Sequence, residues 1–283
     1  MQVGTIQSLW RYPVKSMLGE QLNTTSIGPL GLPGDRGYAI RDERAGEIRG
    51  AKKIPALLRF SARYLEAPTD AYIPPAEVTL PDHTTVSTDD PSVNTRLSQA
   101  LGQEVTLWPR QPAENTDHYL RHPRAMEEVR LILGLEEGDP FPSFEGLPPD
   151  LFQYVSPLGT YFDAYPIHLL TTTTLRFLTA YHSEGKFVPE RFRPNLVIET
   201  GERAVEDEEA SWEGKRLCIG EVELLVGVPT IRCVMTTLPQ GNLPKDPHIL
   251  RTVVQYYGHH VGAYATVKKP GKVRVGDQVE LVF

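Results

Sequence analysis

Four short segments bring reactive or charged side chains to turns. The most reactive is Pro229-Thr230-Ile231-Arg232-Cys233-Val234-Met235-Thr236-Thr237. Cys233 stands beside an arginine just past an apolar run, and a neighbouring cation favours the thiolate, the form that acts as nucleophile and as soft-metal ligand. A lone cysteine is more often a small buried hydrophobe, and that reading stays open here. It is the natural one for Cys218, between Leu217 and Ile219. The other three segments are Tyr12-Pro13-Val14-Lys15-Ser16, Gly34-Asp35-Arg36-Gly37 and Phe192-Arg193-Pro194-Asn195. Each alone reads as a solvated loop cation. Together they are able to cradle an anion such as a phosphate.

Other chemistries lack their signatures. There is no GxSxG, no Walker A and no GxGxxG after a strand. Two cysteines and no CxxC cannot build a four-cysteine zinc or iron–sulfur centre. His259 and His260 are adjacent, so on a regular element their rings diverge; they read as surface or supporting groups. His118 and His122 have helical spacing, but Pro123 follows at once and no acidic or thiol partner lies near.

The chain has 283 residues and a net charge of −7. That balance argues against nonspecific nucleic acid binding, which needs a basic face. Hydrophobic residues are 40% and charged residues 23%, an ordinary globular mix with room for one large domain or two modest ones. The 23 glycines and 25 prolines, about a sixth of the chain, predict many turns and short strands. The N-terminus lacks the basic and apolar blocks of a signal peptide, and no stretch approaches the ~18 apolar residues of a membrane span. A cytoplasmic, reducing location is expected.

The elements that must position these segments follow from local pattern. Residues 3–10, 37–41 and 57–65 read as strands, and 78–80 with 85–87 as a hairpin about Pro81-Asp82-His83. Asp90 and Pro91 open a helix that Gly102 ends, and a strand follows at 105–108. Pro123 opens a helix carrying Met126, Val129 and Leu133, closed by Gly134. Residues 136–157 read as a linker or an ordered surface excursion anchored by its aromatic residues. In the second half, a strand at 167–170 runs into a helix near Thr171 that stops by Gly185. Strands are expected at 196–198, 217–219 and 222–226, and a helix from Asp246-Pro247 to Gly258. A hairpin about Gly276-Asp277 is expected to close the chain.

In this order the segments resemble the MOSC proteins, and within them the architecture of an N-terminal MOSC β-barrel domain followed by a MOSC domain, as in the amidoxime-reducing components and their bacterial relatives. The resemblance is carried by residues 10–16, Gly34-Asp35-Arg36, Asp163, 166–171, 192–198, Arg232-Cys233 with Thr236-Thr237, Pro270-Gly271 and Val275-Gly276-Asp277. It implies an α+β, predominantly β fold: an N-terminal β-barrel-like domain over 1–120, a linker or excursion over 121–160, and a MOSC β-barrel domain with a few helices over 161–283. It implies a molybdenum cofactor (Mo-molybdopterin), with Cys233 as the protein's metal ligand. Lys15, Ser16, Arg36, Thr171, Arg193, Asn195, Thr230, Arg232 and Tyr264 fall on cofactor-binding positions, and Asp163 on a loop beside the metal, as a proton shuttle. It further implies reduction of small N-hydroxylated substrates, fed by a separate electron-transfer protein (a ferredoxin, a flavoprotein or a haem cytochrome), because the chain stops at Phe283 without the ferredoxin-like domain of some bacterial relatives. Two positions depart from the pattern: a Ser/Thr-rich stretch reads Asp163-Ala164-Tyr165, and Lys52 replaces an arginine, keeping charge but losing the bidentate fork. The alternative implied by the same thiol is a non-catalytic carrier of sulfur or cofactor, with a persulfide on Cys233.

Overall fold

The structure, a computed structural model, describes residues 1–201 and 208–282. Strands dominate it, with few helices. Its centre is a closed barrel of seven strands: Leu196–Glu199, Ile167–Thr171, His260–Lys269, Val222–Ile231, Arg216–Ile219, Gln278–Val282 and Gln2–Arg11, the last pairing back onto the first. Leu196–Glu199 runs parallel to Ile167–Thr171, and the other barrel pairings are antiparallel. Closure removes free edges, so every barrel strand finds both hydrogen-bonding partners. Inward residues such as Ile6, Leu169, Leu196, Leu217, Leu224 and Leu281 fill the interior.

The N-terminal strand Gln2–Arg11 therefore belongs to a barrel otherwise built from residues 167–282. The intervening stretch forms two three-stranded sheets, Glu47–Ile48, Tyr38–Asp42 and Val105–Pro109, and Ser61–Tyr64, Ala76–Thr79 and Thr85–Ser87. They enclose a second core around Met17, Ile40, Leu57, Phe60, Val78 and Leu97. Helices Thr172–Tyr181 and Pro247–Tyr257 cover one side of the barrel over Leu170, Leu178, Ile249 and Val253.

Most local expectations match. The helix closed by Gly102 spans Val93–Leu101, with Ser92 rather than Asp90 at its N-cap, and Gly102 is left-handed. Asp246 caps Pro247–Tyr257, accepting from the His248 amide at 3.0 Å. Residues 57–65 are not one strand: Pro55–Arg59 is a 3-10 turn, opened by its proline, and the strand begins at Ser61. The expected C-terminal hairpin does not form either. Gly276 does turn the chain (φ 89°), but Gly271–Arg274 pairs with Thr24–Ile27, while Gln278–Val282 already has a barrel neighbour on each edge. Cys218 sits half-buried on a strand whose inward positions are Leu217 and Ile219, so it is not an interior residue.

Candidate cofactor and substrate site

The three cationic segments meet where the first barrel strand leaves the barrel. At Tyr12 the chain passes into the N-terminal core, and Tyr12 N donates to Asp35 Oδ1 at 2.8 Å. Asp35 also pairs with the Arg36 guanidinium and accepts from Asn195 Nδ2 at 3.0 Å. Asn195 reaches further: its Oδ1 accepts from His168 N at 3.1 Å, and its Nδ2 donates to Trp10 O at 3.3 Å. One buried carboxylate and one buried amide thus bind three distant stretches together.

The Tyr12 ring lies beneath two cations. Arg193 sits 4.1 Å and Arg36 5.1 Å from its centroid, distances at which the ring face attracts positive charge. Both arginines have left-handed backbones, φ 56° and 50°, as does Ser16 at 69°. Left-handed conformations are costly for such residues and cluster where function holds them. Arg193 is buried, its Nη2 has no acceptor, and burial lowers its pKa to about 10. It remains charged at neutral pH without a carboxylate partner. Arg232 donates to Phe192 O at 2.6 Å, yet its Nε is also buried without an acceptor.

These groups face a cavity of about 560 Å³. Of the residues named from sequence, Arg36, Asp163, Arg193, Asn195, Arg232, Cys233 and Tyr264 line it; Lys15, Ser16, Thr171 and Thr230 do not. Lys15 is buried and turned to the chain itself. Its Nζ donates to Tyr161 O at 2.7 Å, Phe162 O at 3.3 Å and Asp163 Oδ1 at 3.0 Å, fixing the loop that carries Asp163. Ser16 is buried against Gly50, where an added Cβ would lie 2.6 Å from Ser16 Oγ. Thr171 caps helix Thr172–Tyr181 and donates to buried Glu209 at 2.6 Å. Thr230 Oγ1 is buried without a partner.

Seven cationic side chains and one carboxylate, Asp163, line the cavity. Partial desolvation of the half-exposed Asp163 opposes its ionisation, but Lys15, Lys52 and Arg36 outweigh it and hold the carboxyl well below the usual range. Burial, aided by Arg232, pushes His168 well down, so it is neutral. The Tyr264 phenol is pushed up by burial and stays protonated. Its ring lies 5.9 Å from His168 and 5.3 Å from Tyr165. Sequence reasoning did not single out His168, Arg121 or Arg124, and it set His122 aside; all four line the cavity. For Arg121, His122 and Arg124 the only local signal is charge in a stretch read as a linker; His168 sits within the family-matching strand segment 166–171. Among the described residues no group of three or more His, Cys, Asp or Glu side chains converges as a metal site, and no helix is long and apolar enough to cross a membrane. His259 is buried and not at the surface, with a left-handed backbone (φ 77°).

The family models match in two parts: the MOSC N-terminal beta barrel domain over residues 3–116, and the MOSC domain over residues 159–280. The chain is 28% identical to mitochondrial amidoxime-reducing component 1 of Homo sapiens, over 99% of this chain and 84% of that protein. It is 27% identical to mitochondrial amidoxime reducing component 2 of Macaca fascicularis, over 98% and 83%. The crystal structure of the YUAD protein from Bacillus subtilis aligns with a TM-score of 0.49 at 13% identity, over 98% of this chain and 94% of that one. With both domain models matched in order across nearly the whole length, the chain belongs to the MOSC-domain proteins that carry an N-terminal MOSC β-barrel domain.

Proposed function

We propose that this protein is a molybdenum-cofactor-dependent reductase of N-hydroxylated compounds. The observation that carries the reading is one cavity in which Cys233 shares the lining with Arg193 and Arg232, both with buried guanidinium nitrogens lacking acceptors. Those nitrogens fit an anionic phosphate. A single cysteine sulfur with no companion ligands among the described residues fits a metal whose remaining ligands come from the cofactor's own dithiolene sulfurs. The names of the amidoxime-reducing relatives support the same assignment.

In this reading Arg36, Arg193 and Arg232 hold the phosphate and pterin, and Cys233 ligates the metal. Bound there, the cofactor would supply a two-electron metal centre able to take oxygen from an N–O bond, so that an N-hydroxy group, two electrons and two protons give the N–H compound and water. Asp163, ionised through the working pH range, orients substrate by accepting a hydrogen bond; a carboxylate held so low fits that role better than proton donation. The Tyr264 phenol, still protonated, is a donor toward the same space. Electrons come from a separate protein, a ferredoxin, a flavoprotein or a haem cytochrome. A carrier of sulfur alone needs only an accessible thiol and leaves the large cavity unused.

The test is expression with and without cofactor biosynthesis, followed by metal analysis and an assay of benzamidoxime or hydroxylaminopurine reduction with an artificial donor. Stoichiometric molybdenum and cofactor-dependent reduction are expected. Cys233→Ser is expected to lose on the order of 10²-fold or more in activity, with the metal. Full activity with bound molybdenum in that variant overturns the ligand assignment. Sulfane sulfur on Cys233 without molybdenum favours the carrier.

A further inference from the structure

One wall of the cavity comes from neither matched domain. It is built by residues 126–152, between the end of one family model at 116 and the start of the other at 159. Every side chain this stretch turns to the cavity is apolar, including Met126, Ile132, Phe141, Phe144, Leu151 and Phe152. Polar and charged side chains enter the lining just before it, at Arg121, His122 and Arg124, and from both matched domains.

This wall is docked against the rest of the molecule. Arg251, on helix Pro247–Tyr257, pairs with Asp139 at 2.5 Å and 3.4 Å. Tyr165, whose ring neighbours Tyr264, donates its hydroxyl to Gly146 O. Gly146 is left-handed (φ 76°), and an added Cβ would stand 2.3 Å from Val228 Cγ1. Gly134, also left-handed, approaches Leu250 as closely, at 2.4 Å. Even so, three wall residues stay open to water: Met126 is 61%, Phe152 71% and Phe141 39% exposed. Apolar surface kept in solvent beside a polar site is a binding feature.

We infer that the wall is a substrate subsite that takes the apolar body of the molecule being reduced, an aryl or alkyl N-hydroxylated compound, and leaves its N–O end on the Cys233 and Asp163 side. This rests on the reductase reading above and adds the substrate's chemical character. The partition is physical. The unpartnered guanidinium nitrogens call for an anion, whereas the wall offers no polar group to an anion and gains only by covering carbon. Affinity then tracks the apolar surface a substrate brings, about three- to fourfold per methylene that the wall covers.

The experiment uses the full chain, loaded with cofactor, and a series of benzamidoximes bearing hydrogen, methyl, ethyl, propyl or butyl opposite the amidoxime group. Binding is measured by calorimetry with no electron donor present, so nothing turns over; kcat/KM is measured separately. Kd is expected to fall by that factor with successive methylenes. Met126→Ser with Phe152→Ser, at exposed positions that tolerate a polar residue, is expected to flatten the gradient, and Phe144→Ala to weaken it. A flat series in the unaltered protein, or a gradient unchanged by the exposed pair, overturns the subsite. A gradient in binding with no reduction by any donor keeps the subsite and overturns the reductase reading instead.

Discussion

Lys15 shows how a residue chosen for one task does another. Its charge at a turn suggested an anion cradle, yet its ammonium serves two carbonyls and Asp163 and does not reach the cavity. Lys15→Met is expected to cost about 1–3 kcal/mol in chemical denaturation, discounted because Asp163 is partly exposed. Asp163, held low by that cation among others, then rises toward the ordinary carboxylate value of about 4. The acid limb of the pH–rate profile is expected to move to higher pH; an unmoved limb refutes the link. Thr171 makes the contrasting case. Its hydroxyl supports Glu209, which also accepts from Thr174 at 2.7 Å and from the Gly262 amide at 3.1 Å. Thr171→Val is expected to lose about 1–3 kcal/mol of stability while retained cofactor stays at the unaltered level. Equal loss of cofactor in a folded variant would return Thr171 to the cofactor-binding residues.

Among the elements, the excursion between the two matched domains depends most on distant contacts. Its helix was legible from Met126, Val129, Leu133 and the closing Gly134, but it spans Met126–Leu133 and does not open at Pro123. Its destination was not, because the contacts that dock it lie far off in sequence, at Tyr165, Val228, Leu250 and Arg251. The Asp139–Arg251 pair sets a pH dependence. The hydrogen bond from Arg251 holds Asp139 below its ordinary value, so the pair's contribution is complete above an unfolded carboxylate value of about 3.9 and is lost as pH falls through the lower folded one. Hydrogen exchange in residues 134–147 is expected to accelerate below about pH 4, and Asp139→Asn is expected to show the faster exchange already at neutral pH. Identical protection in both proteins at pH 7 would show that packing alone holds the wall. The C-terminal Gly-Asp turn teaches the same lesson. Turn chemistry was read correctly, but which strands it joins depends on edges that closure had already filled.

At the scale of the whole molecule, the two ends of the chain share one barrel. The Met1 ammonium donates to Leu281 O at 2.8 Å, and Gln2 stands opposite Glu280. Removing residues 1–11 takes a strand with barrel neighbours on both sides, so residues 161–283 expressed alone are expected to be insoluble or molten. Residues 2–11 appended after the C-terminus through a short linker are expected to restore a cooperative thermal transition, since the existing geometry places that strand's start beside the last one. A cooperative fold in the unappended fragment would show that closure is dispensable. The same interlock builds the site: Tyr12 leaves the barrel strand carrying the ring on which Arg36 and Arg193 rest.

The amino-acid sequence by itself determined the predominance of short strands, the glycine and proline stops of the main helices, and the few side chains able to do chemistry, because those depend on residue type and near neighbours. Cys233, Arg36, Arg193 and Arg232 were identifiable as a set through segments whose order matches a family. Only the tertiary structure decided which of the named residues face the cavity and which brace it. That choice depends on long-range pairings: Lys15 with Asp163, Asn195 with Asp35, Thr171 with Glu209. It also decided that a stretch resembling a linker supplies an apolar wall, since burial of a side chain is settled by what packs against it and not by the residues beside it in sequence.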